Sequence, residues 1–420
     1  MTKFSKHILQ CKAECSKRLS NAARNEEEEV EESVEENAVE ECEEVSESRN
    51  LSDSGTENPG MQRYLVAVEY IGTRFAGAQK QPQGRTVAGI LEEAFSNFIG
   101  KPVRVSLSSR TDAGVHAVSN VCHVDLERTS KRKPGEILTP HDPAVVKRAV
   151  NHFLQQACNK REHLLSYGLQ KDNSDNTDIT ITDIRCVPSD FHARFRAQER
   201  MYLYRILSGQ DSLSVFERQG AWHVPEDLDL RAMQEACKVL VGCHDFSSFR
   251  ASACQAISPI RTLDELHVSE VVSTVFFPSI NGKDLNNIIK DHSRVYSINS
   301  ENDLLLSSVY NNGRSATPNI FGLRKKHRCY VVRVRARSFL YHQVRLIVGV
   351  LKAVGTGQLS VSDVKRILEA KTVTAAPPMA PACGLYLGYV RYDLPSEAET
   401  DTAESSVTSP TPASQKRRLT

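Results

Sequence analysis

The sequence predicts an α+β protein in which two tandem ferredoxin-like βαββαβ units join their sheets into one extended, mainly antiparallel sheet. Three observations carry that expectation. Between residues 63 and 186, apolar side chains recur with the two-residue period of strands and the 3.6-residue period of helices, in the order βαββαβ. Between residues 200 and 392 the same order returns. The chain has 420 residues, enough for two or three domains and a sizeable core.

In the first unit, residues 63–70 (RYLVAVEY) read as a strand. Val87, Ile90, Leu91, Ala94, Phe95 and Phe98 share one helical face, and Thr86 before them offers an N-cap oxygen. Residues 103–108 alternate apolar and polar side chains, and residues 120–126 form a second strand-like run. Asp142-Pro143 opens a helix as N-cap and N1, with Val146, Ala149, Val150, Phe153 and Leu154 on one face. Residues 178–186 (DITITDIRC) close the unit as its fourth strand.

The second unit starts with a strand at 200–207 and a helix at 228–241 carrying Leu230, Met233, Cys237 and Leu240. Strands follow at 261–272 and 328–336, an apolar helix at 340–354, a shorter helix at 362–370 and a closing strand at 384–392. An Asn/Ser-rich surface insertion at 275–325 interrupts this unit, and a short basic one at 128–133 interrupts the first. The chain therefore divides into a tail (1–60), a first unit (61–190), a second unit (191–393) and a closing tail (394–420). Two units side by side leave a cleft across their junction, where binding sites tend to form.

The formal charge of +1 conceals an asymmetry. Residues 1–60 hold seven Lys/Arg against sixteen Asp/Glu, a net of −9, so the remainder carries +10. A basic body suits a polyanionic partner such as RNA. The eleven cysteines form no pair of CxxC units, and Cys237, Cys243 and His244 lack the further ligand a zinc site needs. They read as reduced thiols. No apolar run approaches the roughly 18 residues of a membrane span.

The first 24 residues carry six Lys/Arg with Glu14 as the lone acid, and Phe4, Ile8, Cys11, Cys15 and Leu19 fall on one helical face. That pattern resembles a mitochondrial presequence and equally fits a disordered tail. The glutamate-dominated block at 26–47 cannot pack, and it is uncommon directly after an import signal. The compartment thus reads as mitochondrial or cytoplasmic/nuclear, not secreted. Residues from 395 onward are Ser/Thr/Glu-rich and read as disordered.

The chemistry-bearing stretch is Arg110-Thr111-Asp112-Ala113-Gly114-Val115-His116-Ala117, a sharp connection between two strands. Gly114 lets the backbone take positive φ, and loops held by a rigid sheet commonly carry catalytic groups. On this stretch alone, Asp112 reads first as a cap of the turn through its own backbone N–H groups.

With the rest of the chain included, the protein resembles the TruA family of tRNA pseudouridine synthases over about residues 63–392. The signature is Arg-Thr-Asp-Ala-Gly-Val-His at 110–116. Supporting matches follow in order: Tyr70 to Phe75 with Gly77 and Gln79, Phe191 to Phe195 leading to Tyr202, and residues 242–249 (GCHDFSSF). Residues 339–349 (FLYHQVRLIVG) and 384–387 complete them. Ser109, where most of the family has glycine, is similar to the eukaryotic tRNA pseudouridine synthase-like 1 branch.

The resemblance implies the pseudouridine synthase fold and isomerisation of uridine to pseudouridine, with tRNA as the favoured substrate and no metal or organic cofactor. It implies Asp112 as the carboxylate that acts as nucleophile or base. Arg345 would be its cation, in a bidentate pair, and is the odd charge among Val344, Leu346 and Ile347. Tyr202 would lie against the uracil, with a cross-strand partnership to Tyr204 as the structural alternative. Arg110 would hold the flipped-out base. Arg194, Arg196, Arg200, Arg333, Arg335 and Arg337 would contact the RNA backbone, the last three as alternating residues on one strand face.

Family members often pair as homodimers. Two departures bear on substrate range: Gly77-Ala78-Gln79 stands where Gly-Trp-Gln is usual, and Val87-Ala88-Gly89 where Val-Gln is. Two other classes compete. One is a catalytically silent RNA-binding or ribosome-associated protein of the same fold. The other is a metal hydrolase using Asp112, His116, His123 and Asp125.

Overall fold

The computed structural model describes residues 60–130, 132–133, 135–165, 178–271 and 327–394. The expectations for residues 1–59, for the 275–325 insertion and for residues 395–420 lie outside the described residues. Along the chain come β1 (Met61–Tyr70), α1 (Val87–Ile99), β2 (Val105–Leu107), β3 (His116–Glu127), α2 (Pro143–Leu165) and β4 (Ile179–Val187). Then follow β5 (Glu199–Ser208), β6 (Trp222–Val224), α3 (Leu230–Leu240), β7 (Gly242–Asp245) and β8 (Ile260–Val271). The series ends with β9 (Arg328–Ala336), α4 (Gln343–Gly355), α5 (Val361–Ala370) and β10 (Leu385–Arg391).

One sheet takes all ten strands, in the order β4-β1-β3-β10-β5-β9-β8-β7, with β2 on β3 and β6 on β5. Each half keeps the order expected of a βαββαβ unit: β4-β1-β3-β2 in the first, β10-β5-β9-β8 in the second. The halves meet along a single edge of β3. β10 pairs with it in parallel at Tyr386↔His116 and Leu387↔Ala117. β2 occupies the other stretch of that edge, from Val105↔Val124 to Leu107↔Cys122. The connection between β2 and β3, which carries Asp112, therefore leaves the sheet where the two halves touch.

Alternate residues of each strand face the helices. Tyr64, Val66 and Val68 of β1, Tyr202, Tyr204 and Ile206 of β5, and Tyr330, Val332 and Val334 of β9 share one core with Leu91 and Phe95 of α1 and Ile347 and Leu351 of α4. Full burial of each such side chain contributes roughly 1.5–3 kcal/mol. The helices stand in two groups, α1 with α2 and α3 with α4 and α5. Their starts follow the sequence: Thr86 Oγ1 accepts from Gly89 N at 3.2 Å, Asp142 Oδ1 from Ala144 N at 2.8 Å, and Asp229 Oδ1 from Ala232 N at 3.0 Å.

Three features depart from the expectation. β6 and β7 are three and four residues long, too short for a period to register. All ten residues of β5 are buried. Its back face is covered by the segment after it, where Leu213 and Ala221 pack on Leu207 and Cys329, and Arg205 Nη2 donates to Glu217 Oε1 at 2.9 Å. Finally, α4 begins at Gln343 rather than at 340, because His342 sits in the left-handed region at φ 61°.

One buried imidazole makes the fold acid-sensitive. His123 of β3 accepts a hydrogen bond from Ala193 N through Nδ1 at 3.2 Å, and burial pushes it down to about 4. The unfolded chain takes up this proton near pH 6.5, the folded chain only near 4, so acid favours unfolding between those values. His123 is expected to contribute up to about 3 kcal/mol that is present above pH 6.5 and lost as pH falls to 4. Urea titrations from pH 7 to 4, with His123→Asn flattening the slope, measure it.

Candidate active site

The 108–116 connection is held from below by a buried polar network. Asn120, wholly buried on β3, donates through Nδ2 to Ser109 O at 3.0 Å and to the Tyr70 hydroxyl at 3.1 Å, and its Oδ1 receives Ser108 Oγ at 3.0 Å. The Tyr70 hydroxyl also meets Thr111 Oγ1 at 2.7 Å. From the side, Ala78 N donates to Thr111 O at 2.9 Å. Gly77 suits that approach because its φ of 124° is a backbone conformation that side-chain-bearing residues rarely adopt. Val115 N closes the turn onto Asp112 O at 3.1 Å, across Gly114 at φ 81°. Satisfied buried networks of this kind fix one geometry, because any slip strands a polar group away from water.

Asp112 emerges from this frame half-buried and meets Arg345, 233 positions later in the chain, with Nη1 3.3 Å from Oδ2. The side chains are 18% and 11% exposed. The pair is not the bidentate one that the resemblance implies: a single nitrogen meets a single oxygen. Arg345 splits its fork, and Nε donates to Ala380 O at 2.8 Å while Ala380 N returns a bond to Arg345 O at 3.0 Å. The guanidinium is thus aimed by the backbone of the segment before β10. Gly349 lets that segment press on α4: a Cβ there would fall 2.4 Å from Pro378 O.

Tyr202 lies on the helix-facing side of β5, with its ring edge-on to Phe339 at 5.1 Å. Burial pushes its phenol up to about 12, helped by the Asp112 charge and opposed by Arg200, so it stays neutral. Arg110 is half-buried on the Asp112 connection. Asp112, Arg345, Tyr202 and Arg110, scattered over the sequence, therefore converge on the junction of the two halves.

The basic residues fare differently. Arg200 is buried and structural: Nε donates to Ser109 Oγ at 3.0 Å, and Nη2 to Ser108 O at 2.8 Å and Arg194 O at 3.1 Å. It braces the Asp112 connection and cannot reach a phosphate. Arg333 and Arg335 point to the sheet face away from the helices, where Arg333 pairs with Glu265 and Arg335 with Glu265 and Glu199. Arg196 pairs with Asp190 in solvent. Of the remaining two, Arg337 is exposed and Arg194 half-buried.

One residue near Asp112 escaped the sequence reading. His342, the N-cap of α4, brings Nε2 to 3.3 Å from Asp112 Oδ2. Its signal was the i, i+3 spacing to Arg345, which puts both on one helix face.

Comparison with known proteins places this geometry. A family model described as tRNA pseudouridine synthase matches residues 66–159 and 236–393. Named relatives run along most of the chain. The "tRNA pseudouridine synthase A" of Xanthobacter autotrophicus is 36% identical over 337 residues, 79% of this chain and 100% of its own. That of Paramagnetospirillum magneticum is 35% identical, covering 79% and 96%, and that of Roseobacter denitrificans 34%, covering 81% and 99%. The chain belongs to the TruA family of tRNA pseudouridine synthases. Its large, mainly antiparallel ten-strand sheet with five α-helices is consistent with the pseudouridine synthase fold.

Within a TruA-family protein, two sequence peculiarities gain a physical reading. Ser109 is the hydroxyl that accepts from Arg200, so the serine ties the connection to β5. Ala78 is fully buried in the core, so the missing aromatic there alters packing under the site rather than a stacking surface. The metal-hydrolase alternative loses its ligands. His116 is engaged at both nitrogens, by Gly72 N at 3.2 Å and Gln219 O at 2.8 Å. His123 accepts from Ala193, and Asp125 is bound by Arg63. Among the described residues no group of three or more His, Cys, Asp or Glu side chains could hold a metal ion. No described helix is long and apolar enough to cross a membrane.

Proposed function

We propose that this protein isomerises uridine to pseudouridine in tRNA, with Asp112 as the reacting carboxylate and Arg345 as its charge partner. The observation that carries the reading is the Asp112–Arg345 contact, made from opposite halves of the molecule and backed by Tyr202. The reaction breaks the N1–C1′ bond and forms a C5–C1′ bond; the C5 hydrogen leaves to solvent and N1 takes up a proton. It is redox-neutral and needs no energy input. What it needs is a carboxylate beside the sugar and base, able to act as nucleophile or base, in a pocket that excludes bulk water.

The other side chains have roles that fit. Tyr202 presents a neutral aromatic ring against the uracil. Arg110, two residues before Asp112, holds the base once it is swung out of its stack. Arg337, exposed just after β9, is a cation that can meet backbone phosphates, on a body whose residues from 61 onward carry +10.

The test uses an unmodified tRNA transcript tritiated at uridine C5. Tritium is expected to be released into water in step with pseudouridine at a defined position. Tight tRNA binding without release would overturn the reading in favour of a silent RNA-binding protein.

A further inference from the structure

Two side-chain nitrogens converge on one oxygen of the reacting carboxylate, Arg345 through a hydrogen bond and His342 at ion-pair distance. Arg345 Nη1 and His342 Nε2 each lie 3.3 Å from Asp112 Oδ2. Among the described residues, Oδ1 has no polar partner. We propose that His342 is a positioning residue: together with Arg345 it anchors Oδ2, so that Oδ1 is the oxygen presented to the uridine. This rests on the reading of Asp112 as the reacting carboxylate.

The placement of His342 is specific. Only His342 and Lys371 among the described non-glycine residues have positive φ. A left-handed conformation costs a side-chain-bearing residue free energy that the surroundings must overcome. Here they do so through the 340–343 turn, in which Gln343 N donates to Leu340 O at 3.0 Å and Gln343 Oε1 accepts from Leu340 N at 2.8 Å. The Tyr341 ring then stacks on the imidazole, with centroids 3.8 Å apart at 28°, and fixes its plane. Backbone and neighbour together aim Nε2 at the carboxylate.

The protonation state follows from the contact. An imidazole lone pair 3.3 Å from a carboxylate oxygen would repel it, so Nε2 carries the hydrogen. Burial lowers the proton affinity of His342; Asp112 opposes this and Arg345 reinforces it. These two groups are the charges that face the ring, from the connection and from α4. Near neutral pH the ring is neutral, with its Nε2–H on the side of the carboxylate. A neutral ring packed beside Oδ2 restrains the carboxylate from turning while adding no second full charge to dull its reactivity. With Arg345 alone, a single bond at Oδ2 leaves the carboxylate free to swing, and small misplacements of a reacting group cost up to ~100-fold in rate.

His342→Gly tests this, because glycine prefers the φ of 61° and removes the side chain without forcing the turn. His342→Gln is the rescue, since its amide nitrogen reaches about as far as Nε2. Single-turnover tritium release, tRNA affinity and thermal melting are measured for both, with Asp112→Asn as reference. His342→Gly is expected to slow the chemical step ~10- to 100-fold with unchanged tRNA affinity and unchanged melting. His342→Gln is expected to recover a large part. The inference is overturned if His342→Gly turns over within twofold of wild type, if its loss is in affinity or melting, or if Gln restores nothing. An active Asp112→Asn would instead overturn the functional reading, so the two failures are distinct.

Discussion

Asp112→Asn is expected to abolish pseudouridine formation while leaving the protein folded and bound to tRNA. Asparagine matches the carboxylate in shape and can still accept from Arg345 at Oδ1, but it can neither attack carbon nor take a proton. The loss in single-turnover rate is expected to be on the order of 10⁴-fold or more, as for other residues that act directly on the reacting atoms. The side chain is 18% exposed, so exchanging a charged acceptor for a neutral one should lower stability by only about 1–2 kcal/mol. The frame survives because it is held through Ser108, Ser109 and Thr111 and not through the Asp112 side chain. Turnover at wild-type rate would mean that another group performs the chemistry.

Arg345 is expected to give the second-largest effect, and of a mixed kind. Arg345→Ala removes the guanidinium from a partly dry pair and leaves Ala380 O without its donor. Breaking such a pair one-sidedly should destabilise by about 2–4 kcal/mol, below the full cost of a wholly buried pair because Asp112 still touches water. Activity should fall about 10²- to 10³-fold in protein that remains folded. Arg345→Lys separates charge from geometry. It restores a cation but cannot address Asp112 and Ala380 together through a rigid fork. We expect it to recover most of the melting temperature and only part of the rate, about 10- to 100-fold below wild type. A lysine variant as fast as wild type would show that charge alone suffices. Thermal melts and single-turnover rates on the same preparations decide between these outcomes.

Much of the site was legible in the chain because its residues sit in locally distinctive settings. Asp112 lies between two runs with strand period and two residues before a glycine, a pattern that announces a sharp turn on a sheet. Arg345 is a charge inside an apolar helix, which solvation alone does not explain. The alternation around Arg333 and Arg335 was also read correctly as one face of a strand. Which face that is depends on where the helices settle, and they settle on the other one. Arg200 resembled any surface cation in sequence, since nothing local reveals that three loop carbonyls will close around it.

By itself, then, the order of periods determined two βαββαβ repeats, and the composition a basic body behind an acidic leading segment. Local propensity suffices for these, because strand alternation, helix faces, caps and turn glycines act over a few residues. Tertiary structure decided that β3 shares one edge between β2 and β10, which puts the Asp112 connection at the seam. It also split the Arg345 fork between a side chain and a backbone carbonyl, and turned His342 through a left-handed residue toward the same carboxylate oxygen. Those outcomes depend on contacts between residues from under twenty to more than two hundred positions apart, whose distances are set by packing rather than by any local pattern.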